Sequence, residues 1–297
     1  MWSIFDYLMP GLLFGYQKFK KEYEMPVIRD QNDQALKNLH RLIRPFVLRR
    51  LKNQVLKELP EKLETTVYSL FGDNQRELYA ANASLLKKQL EEGKGEGKDK
   101  LQILAGLTRL RQICCDPSLC YQNYKGDSAK LETCIDLVKN GVSGGHKILL
   151  FSQFTSMLEI IGKRLKKEEI DFHVLTGATA KEERTRLVDA FGRDDTPVFL
   201  ISLKAGGTGL NLTAADVVIH YDPWWNVAAQ NQATDRVYRI GQERQVSVFK
   251  LITKNTIEEN ILTLQESKKA LAEQIIAEGT VSLSSLTKED LLELLGN

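Results

Sequence analysis

The chain has 297 residues, long enough for one large domain or two modest ones that each bury a core. Apolar residues make up 42% and charged residues 27%, the balance of a globular protein, and the formal net charge of +2 announces no polyanion partner by itself. No uninterrupted apolar stretch reaches membrane-spanning length, and residues 1–4 lack the charged start of a signal peptide, so the sequence points to an intracellular protein without a membrane partner.

Taken in chain order, residues 1–127 read as mainly helical. Leu36, Leu39, Leu42 and Ile43 recur at helical spacing, as do Leu104, Leu107, Leu110 and Ile113. Between these runs, the three glycines of residues 93–98 mark a flexible charged loop. Pro60 ends a helix, and residues 63–71 admit a short strand. Residues 41–62 carry seven Lys or Arg against two Glu. Within that stretch Arg49 and Arg50 either face nucleic acid or brace the protein through buried acids, and the interspersed apolar residues favour bracing. Cys114, Cys115 and Cys120 cluster, with Cys134 further on, but an adjacent pair without a nearby His lacks zinc-ligand spacing. Reduced thiols near a core are the expectation, and no metal.

From residue 129 the rhythm changes. Short β-branched or apolar runs appear at 147–151, 172–175, 198–201, 217–220 and 246–249, and amphipathic helical patterns such as 157–165 and 182–191 separate the first four. The fold class this implies is α/β, a mostly parallel sheet with helices on both faces, preceded by the mainly helical region. Functional groups in such a sheet gather in loops at the carboxyl ends of the strands. After Thr256 the pattern is helical, with three Lys against eight acids, and Ser285 or Thr287 is placed to cap residues 291–295.

Several segments carry chemistry. Residues 226–242 predict one helix, capped by Asn226 and stopped by Gly241, with Ala229, Ala233, Val237 and Ile240 toward the sheet. Gln232, Arg236 and Arg239 then form a second stripe at i, i+4 and i+7, which suits a triphosphate as an arginine-finger arrangement. The alternative is a surface helix with Asp235 as internal counter-ion. Residues 202–212 place Gly206, Gly207 and Gly209 after a strand, where backbone amides can approach a phosphate or simply turn. This is no Walker A loop, and no G-x-x-x-x-G-K-[ST] occurs anywhere in the chain. Of the pair Trp224 and Trp225, one anchors the following helix and the other is available to nucleic acid. Ser152, Gln153 and Thr176 follow strands and suit either phosphate contacts or capping.

Taken jointly, Lys204–Leu212, Asp222-Pro223-Trp224-Trp225-Asn226 and Gln232-Ala233-Thr234-Asp235-Arg236-Val237-Tyr238-Arg239-Ile240-Gly241-Gln242 closely resemble motifs V and VI of the SWI/SNF family of superfamily-two ATPases. Residues 147–154 look like its motif IV. Residues 2–11 and Arg44-Pro45-Phe46-Val47-Leu48-Arg49-Arg50 resemble its linker and helical protrusion, and residues 107–117 its entry to the second lobe. Cys115 and Cys120 depart from the family's usual residues there.

The resemblance implies a RecA-like second motor lobe at 128–256, a helical protrusion and linker at 1–127, and a C-terminal helical brace at 257–297. It implies a catalytic set of Arg236, Arg239 and Gln232, and a nucleotide-binding set of Gly207, Gly209 and Asp235. Ser152, Gln153, Thr176, Lys204, Asn211 and Trp224 would lie on or near a double-stranded-DNA track. ATP and Mg2+ would act in a two-lobed enzyme whose first lobe, carrying the P-loop and the acids, is a further partner. The chain alone is then expected to bind no cofactor tightly and to hydrolyse ATP only at background level. Two other readings stay open, a strand-separating RNA or DNA helicase lobe and a non-catalytic interaction scaffold. The short tail after motif VI favours a prokaryotic, nucleoid-associated setting over a nuclear one.

Overall fold

Apolar runs form the strands here, and five such runs are strands in the computed structural model, the three central ones buried throughout and so covered on both faces. The structure describes residues 1–28, 32–48, 59–92, 97–206, 210–274 and residue 295. The strands are β2 (Ile148–Ser152), β3 (Phe172–Leu175), β4 (Val198–Ser202), β5 (Val217–His220) and β6 (Val246–Thr253). A sixth, β1 (Lys62–Ser69), comes from the early region and pairs with β6 from Lys62↔Val246 to Ser69↔Thr253. All pairings are parallel, in the order β1-β6-β5-β2-β4-β3.

Alternation along the strands divides the core in two. Ile148 and Leu150 of β2 point to one face, with Val198, Leu200, Val217 and Ile219. Helices α5 (Ala129–Ser143) and α6 (Thr155–Lys167) cover this face through Cys134, Ile135, Val138, Met157, Ile161 and Leu165. Gly162 lets α6 lie close, because a Cβ there would come within 2.9 Å of the Phe172 ring. Leu149 and Phe151 point to the other face, where Phe191 of α7 (Lys181–Arg193), and Ala233 and Val237 beyond β5, close the layer.

Contacts divide the chain into two compact units, Glu58–Glu266 with Thr280–Asn297, and Met1–Lys57 with Ser267–Gly279. The 127/128 bound that the resemblance implies lies inside the first of these units. Two physical reasons account for this. Strand β1 is laddered to the sheet along its whole length. Helices α3 (Asp73–Glu92) and α4 (Gly97–Cys115) share a core of Leu86, Leu90, Leu107 and Leu110 with Trp225, and with Ile257 and Ile261 of α9 (Ile257–Gln274).

In the other unit, α1 (Trp2–Leu8) and α2 (Asp33–Ile43) contribute Phe5, Leu39 and Ile43 to a small cluster with Leu13 and Phe19. Asn32 caps α2, its side chain accepting from Gln34 N and Ala35 N, both at 3.0 Å. Of the basic stretch 41–62, Arg41 and Arg44 are exposed and Lys62 pairs with Glu64 at 2.6 Å. Arg49 and Arg50 lie outside the described residues, as do residues 285 and 287 with the cap expected there. Among the described residues no helix is long and apolar enough to cross a membrane.

Candidate functional site

Because every strand runs the same way, all carboxyl ends meet at one edge of the sheet. That edge gathers Ser152 at the end of β2 and Gln153 just beyond it, Thr176 after β3, Lys204 after β4, and Asp222 to Trp225 after β5. The sequence candidates are therefore brought together, although their side chains do different things.

Ser152 is fully buried, and its hydroxyl donates to Asp222 Oδ1 at 2.5 Å while accepting from Phe154 N at 3.1 Å. In this structure the Ser152 hydroxyl serves as a capping and support group. Thr176 likewise accepts from Ala178 N at 3.3 Å and its own amide donates to Thr179 Oγ1 at 3.1 Å, a local turn at a half-buried position. Lys204 and Asn211 are exposed. Asn211 lines a cavity of about 620 Å³ together with Thr179, Lys181, Arg184 and Thr185. Lys181 and Arg184 are cations that spacing alone did not single out, since on an amphipathic helix they look like ordinary solvated residues. Of the tryptophans, Trp225 is the buried anchor and Trp224 is half-exposed. The Trp224 amide donates to Gln230 Oε1 at 3.3 Å, and its carbonyl accepts from Gln265 Nε2.

The segment 226–242 differs from expectation. Asn226 does cap a helix, accepting from Ala229 N at 3.3 Å, but α8 (Val227–Thr234) stops at Thr234. Tighter turns follow: Arg236 N donates to Ala233 O at 3.2 Å, Val237 N to Thr234 O at 3.0 Å and Arg239 N to Val237 O at 3.0 Å. The cause is long-range. A continuing helix would give the Arg236 carbonyl to Ile240 N, but it accepts instead from Leu212 N at 3.1 Å. Gln242 Nε2 likewise reaches Ala215 O at 2.8 Å and Thr213 O at 3.2 Å. Gln232, Arg236 and Arg239 consequently do not share a helical stripe. Gln232 is exposed on α8, while Asp235, Arg236 and Arg239 sit half-buried in the turn, where Arg239 Nη1 lies 3.5 Å from Leu210 O. Ile240 is 76% exposed rather than packed on the sheet, and Gly241 takes φ +98° where the turn closes. Gly207 and Gly209 lie outside the described residues.

Two buried ion pairs behind this edge escaped sequence reading. Arg111 of α4 lies 3.7 Å from Asp222, donates through Nη1 to Gln153 Oε1 at 2.8 Å and through Nη2 to Pro223 O. Burial pushes the Arg111 guanidinium down and the Asp222 carboxyl up from their ordinary values, and each partner's charge opposes the other's shift. Lys130 of α5 bonds Glu258 at the start of α9, and Glu258 also accepts from Thr253 N at 2.8 Å. Burial works against the Lys130 charge, and the adjacent carboxylate more than offsets it. The available signal was a charge on an apolar stripe: Leu107, Arg111 and Cys114 stand at i, i+4 and i+7.

At the end of β5, His220 is also buried. Its Nε2 lies 2.9 Å from Thr234 Oγ1, and burial holds the imidazole near a pKa of about 3 and so neutral. Cys114, Cys115 and Cys134 are buried free thiols, and burial raises their pKa. Among the described residues no group of three or more His, Cys, Asp or Glu side chains is placed to hold a metal ion.

Comparison with known proteins fits this architecture. The "SNF2-related domain" family matches residues 1–119 and the "Helicase conserved C-terminal domain" family residues 129–241. A putative ATP-dependent helicase/translocase of Bacillus subtilis is 41% identical over 99% of this chain and 32% of its own length. The chain spans about three-tenths of the length of the curated relatives it matches. Among solved structures, the Sulfolobus solfataricus SWI2/SNF2 ATPase core in complex with dsDNA is 36% identical, with a TM-score of 0.66 over 98% of this chain and 62% of that one. The C-terminal domain of the Sulfolobus solfataricus SWI2/SNF2 ATPase is 32% identical over 78% of this chain and 96% of that domain, with a TM-score of 0.64. With six parallel strands in the RecA-like order and these matches along its length, the chain belongs to the SWI/SNF family of superfamily-two ATPases, as its C-terminal lobe.

Proposed function

We propose that this chain is the second motor lobe of a double-stranded-DNA translocase, bringing Arg236 and Arg239, with Gln232 and Asp235 beside them, to ATP held by a first lobe. The observation that carries the reading is the bonding between two loops. The arginine turn 235–242 is tied to residues 210–215 by Leu212 N to Arg236 O at 3.1 Å and Gln242 Nε2 to Ala215 O at 2.8 Å. Asn211 lies in that second loop, and Lys204 lies just upstream of it. A displacement of the arginines toward a triphosphate would therefore drag the loop that faces DNA. Gln153, Thr176, Lys204, Asn211 and Trp224 make up the DNA track on this reading, with Ser152 in support through Asp222, and Gly207 and Gly209 are assigned to nucleotide binding from the sequence resemblance alone.

The donor set fits half of an ATP site. Guanidinium and carboxamide groups suit the γ-phosphate, where they stabilise charge developing during transfer. Asp222, a carboxylate at the strand ends, is buried and engaged by Arg111 and Ser152, which leaves it poorly suited to magnesium. The metal and the P-loop therefore belong to the first lobe, and this chain alone hydrolyses ATP only at background level.

The test is steady-state ATP turnover with duplex DNA, for the chain alone and for a polypeptide that also carries the first lobe. The lone chain is expected to be inactive. In the two-lobed protein Arg236→Ala or Arg239→Ala should lower kcat about a thousandfold with DNA binding retained. Substantial turnover by the lone chain, or arginine variants with full kcat, would refute the reading.

A further inference from the structure

The arginine turn meets a charged rim of the sheet. Strand β1 pairs with β6 so that Lys62, Glu64 and Thr66 stand beside Val246, Val248 and Lys250 on one face. Val246 and Val248 belong to the core layer into which the turn buries Val237, and Tyr238 packs against the same layer. At this rim the Glu64 carboxylate bridges two lysines, one oxygen 2.6 Å from Lys62 Nζ and the other 2.7 Å from Lys250 Nζ. Burial works against the Glu64 charge, but the bonds and charges of Lys250 and Lys62 outweigh it and bring the carboxyl down to about 2. The Lys62 ammonium so clamped lies 5.8 Å from the centre of the Tyr238 ring, within reach of a cation–π attraction. Tyr238 stands between Arg236 and Arg239 in a segment that has left the helix, and its amide donates to Thr234 O at 3.1 Å. Without a continuing helical ladder, the direction of the two guanidinium groups depends on what holds the side chains between them. Val237 is held by the core, and Tyr238, half-buried, is held at the rim by Lys62.

We propose that Lys62, clamped by Glu64, is a positioning residue that aims Arg236 and Arg239 through the Tyr238 ring. The inference rests on the motor-lobe reading above and deepens it. The unit that holds the sheet begins at Glu58, and Lys62 opens its first strand, so the strand by which the chain enters this unit also sets the arginines. A cross-strand ion pair whose side chains are about one-third exposed contributes little to stability by itself. A purely structural pair would therefore leave turnover by the folded protein unchanged, and the two roles separate in kinetics.

The experiment is DNA-stimulated ATP turnover by the two-lobed polypeptide, with Lys62→Met, Lys62→Arg, Tyr238→Leu and the Lys62→Met/Tyr238→Leu double variant. Lys62→Met keeps the apolar stem and removes the charge. It should lower kcat about two- to fivefold, the weight of one partly exposed cation–π contact, with KM for ATP and duplex affinity unchanged. Lys62→Arg keeps a cation for both ring and carboxylate and should retain the wild-type kcat. In the double variant Lys62→Met should cost nothing beyond Tyr238→Leu, since the ring it acts through is gone. A wild-type kcat in Lys62→Met, or losses that multiply in the double variant, overturn the proposal. Full kcat in Arg236→Ala sinks the parent reading and this one with it, whereas a slow Arg236→Ala beside an unimpaired Lys62→Met sinks this inference alone. If Lys62→Met does not fold, Tyr238→Phe and Tyr238→Leu decide. The ring-keeping variant must hold its kcat and the other must lose it, and equal rates refute the assignment.

Discussion

The two ends of the parallel sheet both hold ion pairs, yet they are built on opposite principles. At the carboxyl end both partners are buried: Arg111 and Asp222 are 4% and 0% exposed, and Lys130 and Glu258 are 1% and 0% exposed. At the amino end only the carboxylate is buried. Asp216, just ahead of β5, is 3% exposed, but its partners His146 and Arg244 are 48% and 64% exposed, at 2.9 and 3.4 Å. Water screens the second kind of pair and cannot reach the first. The amino end can thus lose a partner and rehydrate. The carboxyl end cannot, and its charges fix the loops that the site is built on.

The largest effect should come from breaking a fully buried pair on one side only. Lys130→Met strands Glu258 in the core and should destabilise the chain by about 3–5 kcal/mol. Adding Glu258→Gln should recover most of that loss, because the stranded charge is gone and the amide oxygen can still accept from Thr253 N. Urea melts of the single and double variants measure both values. A single variant no worse than the double would show that the contrast between the two ends is not electrostatic.

This contrast also marks what could be read from the sequence. The strands were legible because residues 148–151, 198–201 and 217–219 are apolar throughout, and only burial on both faces accommodates such runs. The Asn226 cap was legible because capping is local. The end of α8 was not, because the bond that takes the Arg236 carbonyl comes from Leu212, outside any local window. Periodicity continued the helix through Ile240, while a contact across the fold stopped it at Thr234. Arg111 was hidden for the same reason, since its partners Gln153 and Asp222 lie in loops after β2 and β5. Motif residues announce themselves by type and spacing. The residues that hold them in place are visible only once the sheet has brought distant strand ends together.

A second, smaller effect sharpens the comparison by pH. His220, at the carboxyl end of β5, has its pKa held near about 3 by burial, against about 6.5 in an unfolded chain. Below pH 6.5 the unfolded state takes up a proton that the folded state refuses. Stability is therefore complete above pH 6.5 and falls as the pH drops toward 3, by roughly 1.4 kcal/mol per pH unit. His220→Asn should flatten that slope, with the loss at pH 5 about 2 kcal/mol smaller than in wild type. Equal acid slopes in the two proteins would show that His220 is not buried neutral.

The smallest effect belongs to the amino end. Arg244→Ala removes a cation whose side chain is 64% exposed and 3.4 Å from Asp216. Asp216 keeps His146 Nδ1 at 2.9 Å and the Lys147 amide at 3.2 Å, so it is not left alone. The expected change is within about 0.5 kcal/mol, and it should shrink further in high salt. Thermal melts at two ionic strengths suffice to test this. A salt-independent loss comparable to that of Lys130→Met would mean that Asp216 depends on Arg244 as fully as Glu258 depends on Lys130. The two ends of the sheet would then be held by one kind of bond rather than two.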